Sequence, residues 1–160
     1  MKRIPLTQGL YVLVDDEDYE YLNQWNWYAH KQGNTYYAKR TTGKNYKVTI
    51  VHMHRVISGV PNDKIVDHID GNGLNNQKHN LRICNKAQNG MNRPKQNNNT
   101  SGYKGVGWDK ARNKWKVQIT LDGKNRIVGR FDNLQDAARA YNNEAIKLHG
   151  KFAYLNNIED

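Results

Sequence analysis

The alternation of apolar and polar residues near the C-terminus predicts a small antiparallel sheet. Residues 115–121 alternate as the residues of a half-buried strand do. Asp122-Gly123 then gives a strong hairpin signal, and residues 126–131 form the predicted returning strand. A shorter strand is predicted ahead of them, at 105–108.

A helix is predicted directly after this sheet. Asn133 is a suitable N-cap, Asp136 follows in the capping-box position, and Gly150 stands where the helix is expected to end. Apolar residues recur between them at helical spacing: Leu134, Ala138, Tyr141, Ala145 and Leu148. The C-terminal region is therefore predicted to be a three-stranded antiparallel sheet packed on one amphipathic helix.

Short strands with polar turns are predicted for the N-terminal part of the chain. The strands are expected at 11–14, 25–29, 36–38 and 46–51, with turns at 33–34 and 42–45 and a helical turn within 15–24. The many Tyr and Trp side chains of this part favour a compact core over base stacking.

The segment 93–101 has no apolar residue, one proline and a run of asparagines, which is a linker composition. It predicts a first domain at 1–92, with a β-rich part at 1–51, and a second domain at 102–158. The fold class is then α+β.

The charge of the chain favours a polyanionic partner. Lys and Arg number 25 against 15 Asp and Glu, so the formal net charge is +10. The mean hydropathy of −0.99 makes a membrane a much less favoured partner than nucleic acid. With no long apolar run and no signal-peptide pattern, we expect a cytoplasmic protein. The single cysteine, Cys84, excludes an internal disulfide and is expected to be buried.

Candidate chemistry is concentrated in the middle of the chain. His54-Arg55 comes first, then Asp67-His68 before a loop rich in Asp, Gly and Asn, then Asn80-Leu81-Arg82, and finally Asn89. His68 and Asn80 are 12 positions apart, and His68 and Asn89 are 21 apart.

This pattern resembles the HNH endonucleases with a ββα-metal finger, especially their phage homing-endonuclease branch. The resemblance implies a ββα-metal motif at about 52–92 and a phage-infected or bacterial cell as the setting. It also implies that Asp67 and Asn89 ligate one divalent cation, while Asn80 bonds across the loop and orients His68. The family often has a histidine where this chain has Asn89, a variant that fits single-metal chemistry.

Elementary chemistry agrees with these roles. Hydrolysis of a phosphodiester needs an activated water and a cation that offsets the charge on the leaving oxygen. A histidine such as His68 has a suitable pKa for a general base. Carboxylate and amide oxygens suit Mg²⁺ or Mn²⁺ better than zinc. Neighbouring side chains of a strand point to opposite faces, so Asp67 and His68 serve one site only if the strand ends or twists there.

Simpler interpretations exist for several of these residues. Asp70-Gly71 and Asn72-Gly73 are turn formers, so the loop alone would be an ordinary turn. Asp70 and Asn76 are interpreted as loop-structural rather than metal-binding. His54 and Arg55 are interpreted as a phosphate contact or as structural. The remaining histidines have no partner pattern and are expected at the surface: His30, His52, His79 and His149.

Residues 103–156 resemble the plant ethylene-response-factor DNA-binding domain. The resemblance rests on Tyr103-Lys104-Gly105-Val106, Lys114-Trp115, Gly129-Arg130-Phe131-Asp132, residues 137–141 and residues 150–156. It implies a sheet that lies in the DNA major groove and is backed by a helix. The base-reading arginines and one tryptophan of the plant family are replaced here, so no target sequence carries over.

Alternation along the strand at 115–121 assigns the exposed face of this sheet. Trp115, Val117 and Ile119 should pack on the helix and leave the intervening polar residues towards DNA. The predicted DNA-binding residues are Lys104, Trp108, Lys110, Arg112, Lys114, Lys116, Gln118, Thr120, Lys124 and Arg126, with packing as the alternative for Trp108.

We therefore expect a metal-dependent endonuclease that acts on double-stranded DNA, with Mg²⁺ or Mn²⁺ as cofactor. One active site per chain makes one nick, so a double-strand break needs two chains or two successive nicks. A non-catalytic DNA-binding regulator is the main alternative, and an RNA-binding protein is a weaker one.

Overall fold

A computed structural model describes residues 1–43, 48–61 and 63–158 of the chain. They form two compact units, Met1–Asn85 and Lys86–Asp160. Both contain small antiparallel sheets and few helices, so the mixed α and β class predicted from the sequence is confirmed. The predicted domain limits at 92 and 102 remain predictions. No helix among the described residues is long and apolar enough to cross a membrane.

The first unit holds seven strands and two helices among its described residues. In chain order they are β1 (Lys2–Pro5), β2 (Tyr11–Val14), α1 (Asp16–Leu22), β3 (Tyr28–Gln32), β4 (Thr35–Thr42), β5 (Thr49–His52), α2 (Met53–Ser58), β6 (Ile65–His68) and β7 (Leu81–Cys84). Part of the predicted turn at 42–45 and the start of the predicted strand at 46–51 lie outside the described residues.

Apolar residues of this unit form one core. It is built from β1, β2, α1, β4 and α2, with these buried members: Ile4, Val12, Val14, Leu22, Trp27, Ala38 and Met53. Trp25 and Tyr19 pack against it, whereas Tyr21 is exposed. The preference for a compact core is thus confirmed for Trp27, which is 4% exposed.

The sheet of β3, β4 and β5 has two different faces. Ala29 pairs with Ala38, and both are buried, so that face looks into the unit. On the other face, His30 pairs with Tyr37, and Lys39 lies between Tyr28 and His52. The second face therefore carries mainly polar and aromatic side chains.

The second unit contains α3 (Lys86–Met91), β8 (Val106–Asp109), β9 (Lys114–Leu121), β10 (Lys124–Phe131) and α4 (Leu134–His149). The sheet has the order β10-β9-β8, and α4 packs on it. The side chain of Asn133 accepts hydrogen bonds from the amides of Gln135 (2.8 Å) and Asp136 (3.1 Å), which confirms the predicted N-cap. Gly150 ends the helix with a φ of 53°.

Strand register determines which side chains share the face turned away from α4. Val117 and Ile119 are buried against the helix, so Lys116, Gln118 and Thr120 alternate to the opposite face. Gly107 and Arg130 pair with Lys116 and join that face. We call these residues of β8, β9 and β10 the open face of the sheet.

Gly105 is a packing constraint in this unit. Its φ is +76°, and an added Cβ would lie 2.2 Å from Cδ2 of Tyr141 and 2.6 Å from the carbonyl oxygen of Gln118. Tyr141 is itself 2% exposed in the core and has no room to move away.

We expect Gly105→Ala to lower the free energy of unfolding by about 3 kcal/mol, because it combines overpacking with an unfavourable φ. Gly107→Ala is the matched control, since its Cβ would meet no atom within 4 Å. The control should change stability by less than about 0.5 kcal/mol. Urea unfolding of both variants measures the difference, and equal stabilities would contradict this account.

Candidate active site

The pairing of β6 with β7 brings a carboxylate and a guanidinium together. Asp67 lies opposite Arg82 in the register. Arg82 donates from Nε (2.9 Å) and from Nη2 (2.7 Å) to Oδ2 of Asp67. Asp67 is 8% exposed, and a carboxylate with so little hydration needs such a partner to offset the loss of water. Arg82 is therefore a residue of the candidate site. It lies in the Asn80-Leu81-Arg82 motif, but no role was predicted for it from the sequence.

Asn80 closes the connection between these two strands. Its amide nitrogen donates to Oδ1 of Asp70 (2.9 Å) and to the carbonyl of Asn75 (2.8 Å). Its Oδ1 accepts from the main-chain amide of Asp70 (3.0 Å). Asp70 also accepts from Asn72 and Asn75, so its carboxylate is occupied within the loop. These bonds agree with a loop-structural role for Asp70.

The catalytic candidate His68 is held by a loop residue. Nε2 of His68 donates to Oδ1 of Asn76 at 2.7 Å, and both residues are buried. Because an amide oxygen only accepts, Nε2 carries the hydrogen and Nδ1 is the basic nitrogen of the neutral ring. Asn76 thus fixes the tautomer, which is a more specific role than the loop-structural one predicted for it.

The main chain holds Asn76 in place from outside the loop. The amide of Asn76 donates to the carbonyl of Leu13 (2.8 Å), and Leu13 donates to the carbonyl of Leu74 (2.8 Å). Asp15, just beyond β2, accepts from the amide of Lys78 at 2.7 Å. This bond lowers the pKa of Asp15 below 3.8. The β1–β2 hairpin is therefore a support for the loop.

β6 ends at His68. The end of the strand at this residue is the condition under which Asp67 and His68 can serve one site. Both side chains are buried. The ring of Tyr37 lies 5.7 Å from the rings of both His68 and His54. The His54 ring lies 5.2 Å from that of His68 and 5.3 Å from that of His52.

Burial keeps these three imidazoles neutral. Desolvation lowers the pKa of His68, and the hydrogen bond to Asn76 opposes that shift. Burial lowers the pKa of His54 to about 3, and the neighbouring His68 and His52 add to the effect. The pKa of His52 is lowered for the same first reason. At neutral pH, His68 is therefore in the form that accepts a proton.

The structure separates the two residues of His54-Arg55. The guanidinium of Arg55 donates to the carbonyls of Pro61 (2.6 Å) and Lys64 (2.9 Å), which favours the structural alternative for this residue. His54 is 8% exposed and faces His68. His30 and His79 are exposed as predicted, whereas the prediction is wrong for His149, which is buried with Nε2 2.9 Å from the carbonyl oxygen of Thr120.

The donor set for a cation can be described only in part. Among the described residues, no three His, Cys, Asp or Glu side chains are grouped so as to hold a metal ion. Asp67 offers a carboxylate that it shares with Arg82. Asn89 lies on α3, in the second unit. A carboxylate and an amide fit a hard cation by chemistry, and the pairing of these two residues remains a prediction.

The predicted DNA-binding residues of the second unit differ in their surroundings. Nζ of Lys104 donates to the carbonyls of Met91 and Arg93 (both 2.6 Å), and burial lowers its pKa to about 8. Trp108 packs edge-on against Trp115 at 4.8 Å, which supports the packing alternative. Arg126 pairs with buried Ile119, so the register puts it on the helix side together with Lys124.

Three predicted residues belong to the open face, a fourth, Lys114, points to the same side of β9, and two others lie in the adjoining turn. Lys116 and Gln118 are half-buried there, and Thr120 is exposed and donates to Oδ1 of Asn125 at 2.6 Å. Lys110 and Arg112 occupy the β8–β9 turn, and Lys114 is ion-paired with Asp132.

Comparison with known proteins identifies the family. The family model for HNH endonuclease matches residues 51–91, which include the β6–β7 pair and its loop. Protein 3.8 of Escherichia phage T7 is 38% identical over 94 residues, covering 59% of this chain and 77% of that protein. The chain belongs to the HNH endonuclease family.

A second viral relative aligns with nearly the whole HNH chain. It is an uncharacterized HNH endonuclease of Acanthamoeba polyphaga mimivirus, 28% identical over 152 residues. The alignment covers 95% of this chain and 78% of the relative. No solved structure matches the chain.

The buried neutral histidines of this HNH unit make its stability depend on pH. The folded pKa of His54 is about 3, against an ordinary value of 6.5. Between these values the unfolded chain binds a proton that the folded protein does not. The free energy of unfolding therefore falls as the pH drops from 6.5 towards 3, by about 1.4 kcal/mol per pH unit for His54.

We expect His54→Phe to reduce the slope of the unfolding free energy against pH by the equivalent of about one proton between pH 6 and pH 4.5. That window lies above the range in which Asp15, with its lowered pKa, would lose its charge. Urea unfolding of the metal-free protein across the window measures the slope. His79→Phe, at an exposed position, should keep the wild-type slope. An unchanged slope in His54→Phe would show that His54 does not titrate in this way.

Proposed function

We propose that this chain is a metal-dependent DNA endonuclease that hydrolyses phosphodiester bonds with His68 as its general base. The observation that carries the proposal is the hydrogen bond from Nε2 of His68 to Asn76, next to the buried carboxylate of Asp67. Such an arrangement gives a neutral imidazole with a defined basic nitrogen beside a charged oxygen ligand. A protein that only binds DNA needs neither.

In the proposed reaction, Nδ1 of His68 takes a proton from water as the water oxygen bonds to phosphorus. The bond from phosphorus to the leaving oxygen breaks, and that oxygen gains a proton from solvent. Asn76 keeps Nε2 protonated throughout, so the ring accepts the proton on the correct side. Asn80 acts indirectly, because it holds the loop that carries Asn76.

Nucleases of the HNH family generally use a divalent metal. We propose Asp67 and Asn89 as its protein ligands and Mg²⁺ or Mn²⁺ as the ion, since both ligands are hard oxygens. When bound, the ion offsets negative charge on the leaving oxygen. Arg82 holds the carboxylate of Asp67 in place through the ion pair.

We further propose that the second unit targets the enzyme to double-stranded DNA through the open face of its sheet, in the manner of ethylene-response-factor domains. Lys116, Gln118 and Arg130 supply donors on that face. A β-sheet that enters the major groove is a known docking mode. Combined with a nicking unit, it suits a homing-type endonuclease.

The first test is cleavage of supercoiled plasmid with Mg²⁺ or Mn²⁺. We expect His68→Ala to cut at least about 100-fold more slowly than wild type, as the loss of a general base does. His79→Ala, at an exposed position of the adjoining loop, is the matched control and should cut at the wild-type rate. If His68→Ala cuts as fast as wild type, the assignment fails. Binding without metal-dependent cleavage by wild type would favour a DNA-binding regulator.

The second test addresses the open face. Lys116→Ala should weaken binding to duplex DNA several-fold and reduce the slope of log K against log salt by about 0.9, the effect of one lost phosphate contact. Lys147→Ala removes the same charge from an exposed position on α4 and serves as the control. Equal salt slopes for the two variants would rule out this face as the contact surface.

A further inference from the structure

One face of the β3–β4–β5 sheet adjoins the catalytic histidine. Tyr37 and Lys39 are two positions apart on β4 and so point to the same side. The Tyr37 ring contacts His68 and His54 on that side. Lys39 pairs across the sheet with His52, the residue at the end of β5.

Most of the Lys39 side chain is covered by its neighbours. It is 6% exposed, and burial lowers its pKa. No described residue forms a hydrogen bond or an ion pair with its ammonium group. The carboxylate of Asp67 is bonded to Arg82. Partial loss of hydration without an acceptor in exchange costs stability, and a bound anion would supply that acceptor.

Two imidazoles beside Lys39 are also incompletely bonded. The Nδ1 atoms of His52 and His54 are both buried and have no hydrogen-bond partner among the described residues. The two rings are 5.3 Å apart. The nitrogen-bearing side chains of Lys39, His52 and His54 are thus grouped on one face. The Nδ1 atoms of the two histidines have no hydrogen-bond partner among the described residues.

An anion fits this group better than a cation does. Phosphate oxygens accept hydrogen bonds from ammonium groups and from imidazole N–H groups. A cation would be repelled by Lys39, and no metal-binding cluster occurs among the described residues. The chemistry therefore indicates a phosphate rather than a second metal.

We propose that Lys39, His52 and His54 form an anion subsite that binds a DNA backbone phosphate next to the one being cleaved. The His54 ring lies 5.2 Å from the ring of His68, and His52 and Lys39 lie beyond it. The His54 ring of the anion subsite is therefore the direct neighbour of the general base His68. Its assignment to DNA rests on the proposed nuclease function, whereas its affinity for phosphate does not.

Lys39→Met gives a distinctive test, because it keeps the length of the side chain and removes its charge. If Lys39 serves a ligand, this variant should be more stable to urea than wild type and should bind phosphate more weakly. A purely structural lysine would give lower stability on substitution. Lys31→Met is the matched control, since Lys31 is exposed on neighbouring β3.

Binding is measured on metal-free protein by titrating inorganic phosphate and following the imidazole NMR signals of His52 and His54. We expect a saturable shift in wild type and in Lys31→Met, and an affinity about tenfold lower in Lys39→Met. Lys39→Arg should restore most of the affinity. The absence of a saturable shift in wild type up to about 50 mM phosphate, or equal affinities in wild type and Lys39→Met, would overturn the proposal.

Plasmid cleavage then separates this proposal from the nuclease assignment. Lys39→Met should raise KM and leave kcat nearer to wild type, and it should reduce the salt slope of DNA binding by about 0.9. If wild type cuts DNA but Lys39→Met has the same KM and salt slope, the anion subsite does not bind substrate. If wild type binds phosphate at His52 and His54 but cuts no DNA, the nuclease assignment fails and the subsite stands as a phosphate site only.

Discussion

The ion pair between Asp67 and Arg82 is the interaction on which the site depends. A carboxylate that is 8% exposed has lost most of its hydration and would destabilise its surroundings without a cation beside it. Arg82 meets this requirement only when β6 and β7 pair with Asp67 opposite Arg82. A shift of the register by one residue would turn every side chain of the pair to the other face. The ion pair therefore fixes where β6 ends, and with it the position of His68.

The connection between the two strands is the second constraint, and most of its support comes from elsewhere in the first unit. Leu13 bonds to both Leu74 and Asn76, and Gly73 packs so closely on β4 that a Cβ would lie 2.4 Å from the carbonyl oxygen of Tyr36. The β-rich N-terminal region therefore holds the loop in its conformation. This explains why a region without a predicted catalytic residue is packed against a catalytic motif.

Local patterns in the sequence were enough to predict the C-terminal helix, its Asn133 cap and the mixed fold class. The spacing from His68 to Asn80 was also sufficient to indicate the HNH family that the family model matches here, whereas the roles of these residues remain predictions. Long-range pairing was not predictable: Lys39 meets His52 only through the register of β4 and β5, which the sequence pattern does not specify. Asn76 was hidden among several asparagines that are chemically alike, and only the fold brings it to His68. Lys104 resembled a surface lysine because nothing local indicates that carbonyls of Met91 and Arg93 surround it.

The chain has a net charge of +10, and positive side chains of the two units lie in physically different surroundings. On the open face, Lys116 is in contact with solvent, so its attraction to DNA is screened by salt and adds little to the cost of folding. Lys39 is largely removed from solvent, so its charge lowers the stability of the free protein and is less screened. A charge of the first kind suits the capture of DNA at many positions. A charge of the second kind suits the fixing of one phosphate relative to His68, because a covered side chain has few alternative orientations and its ammonium group has no competing partner among the described residues.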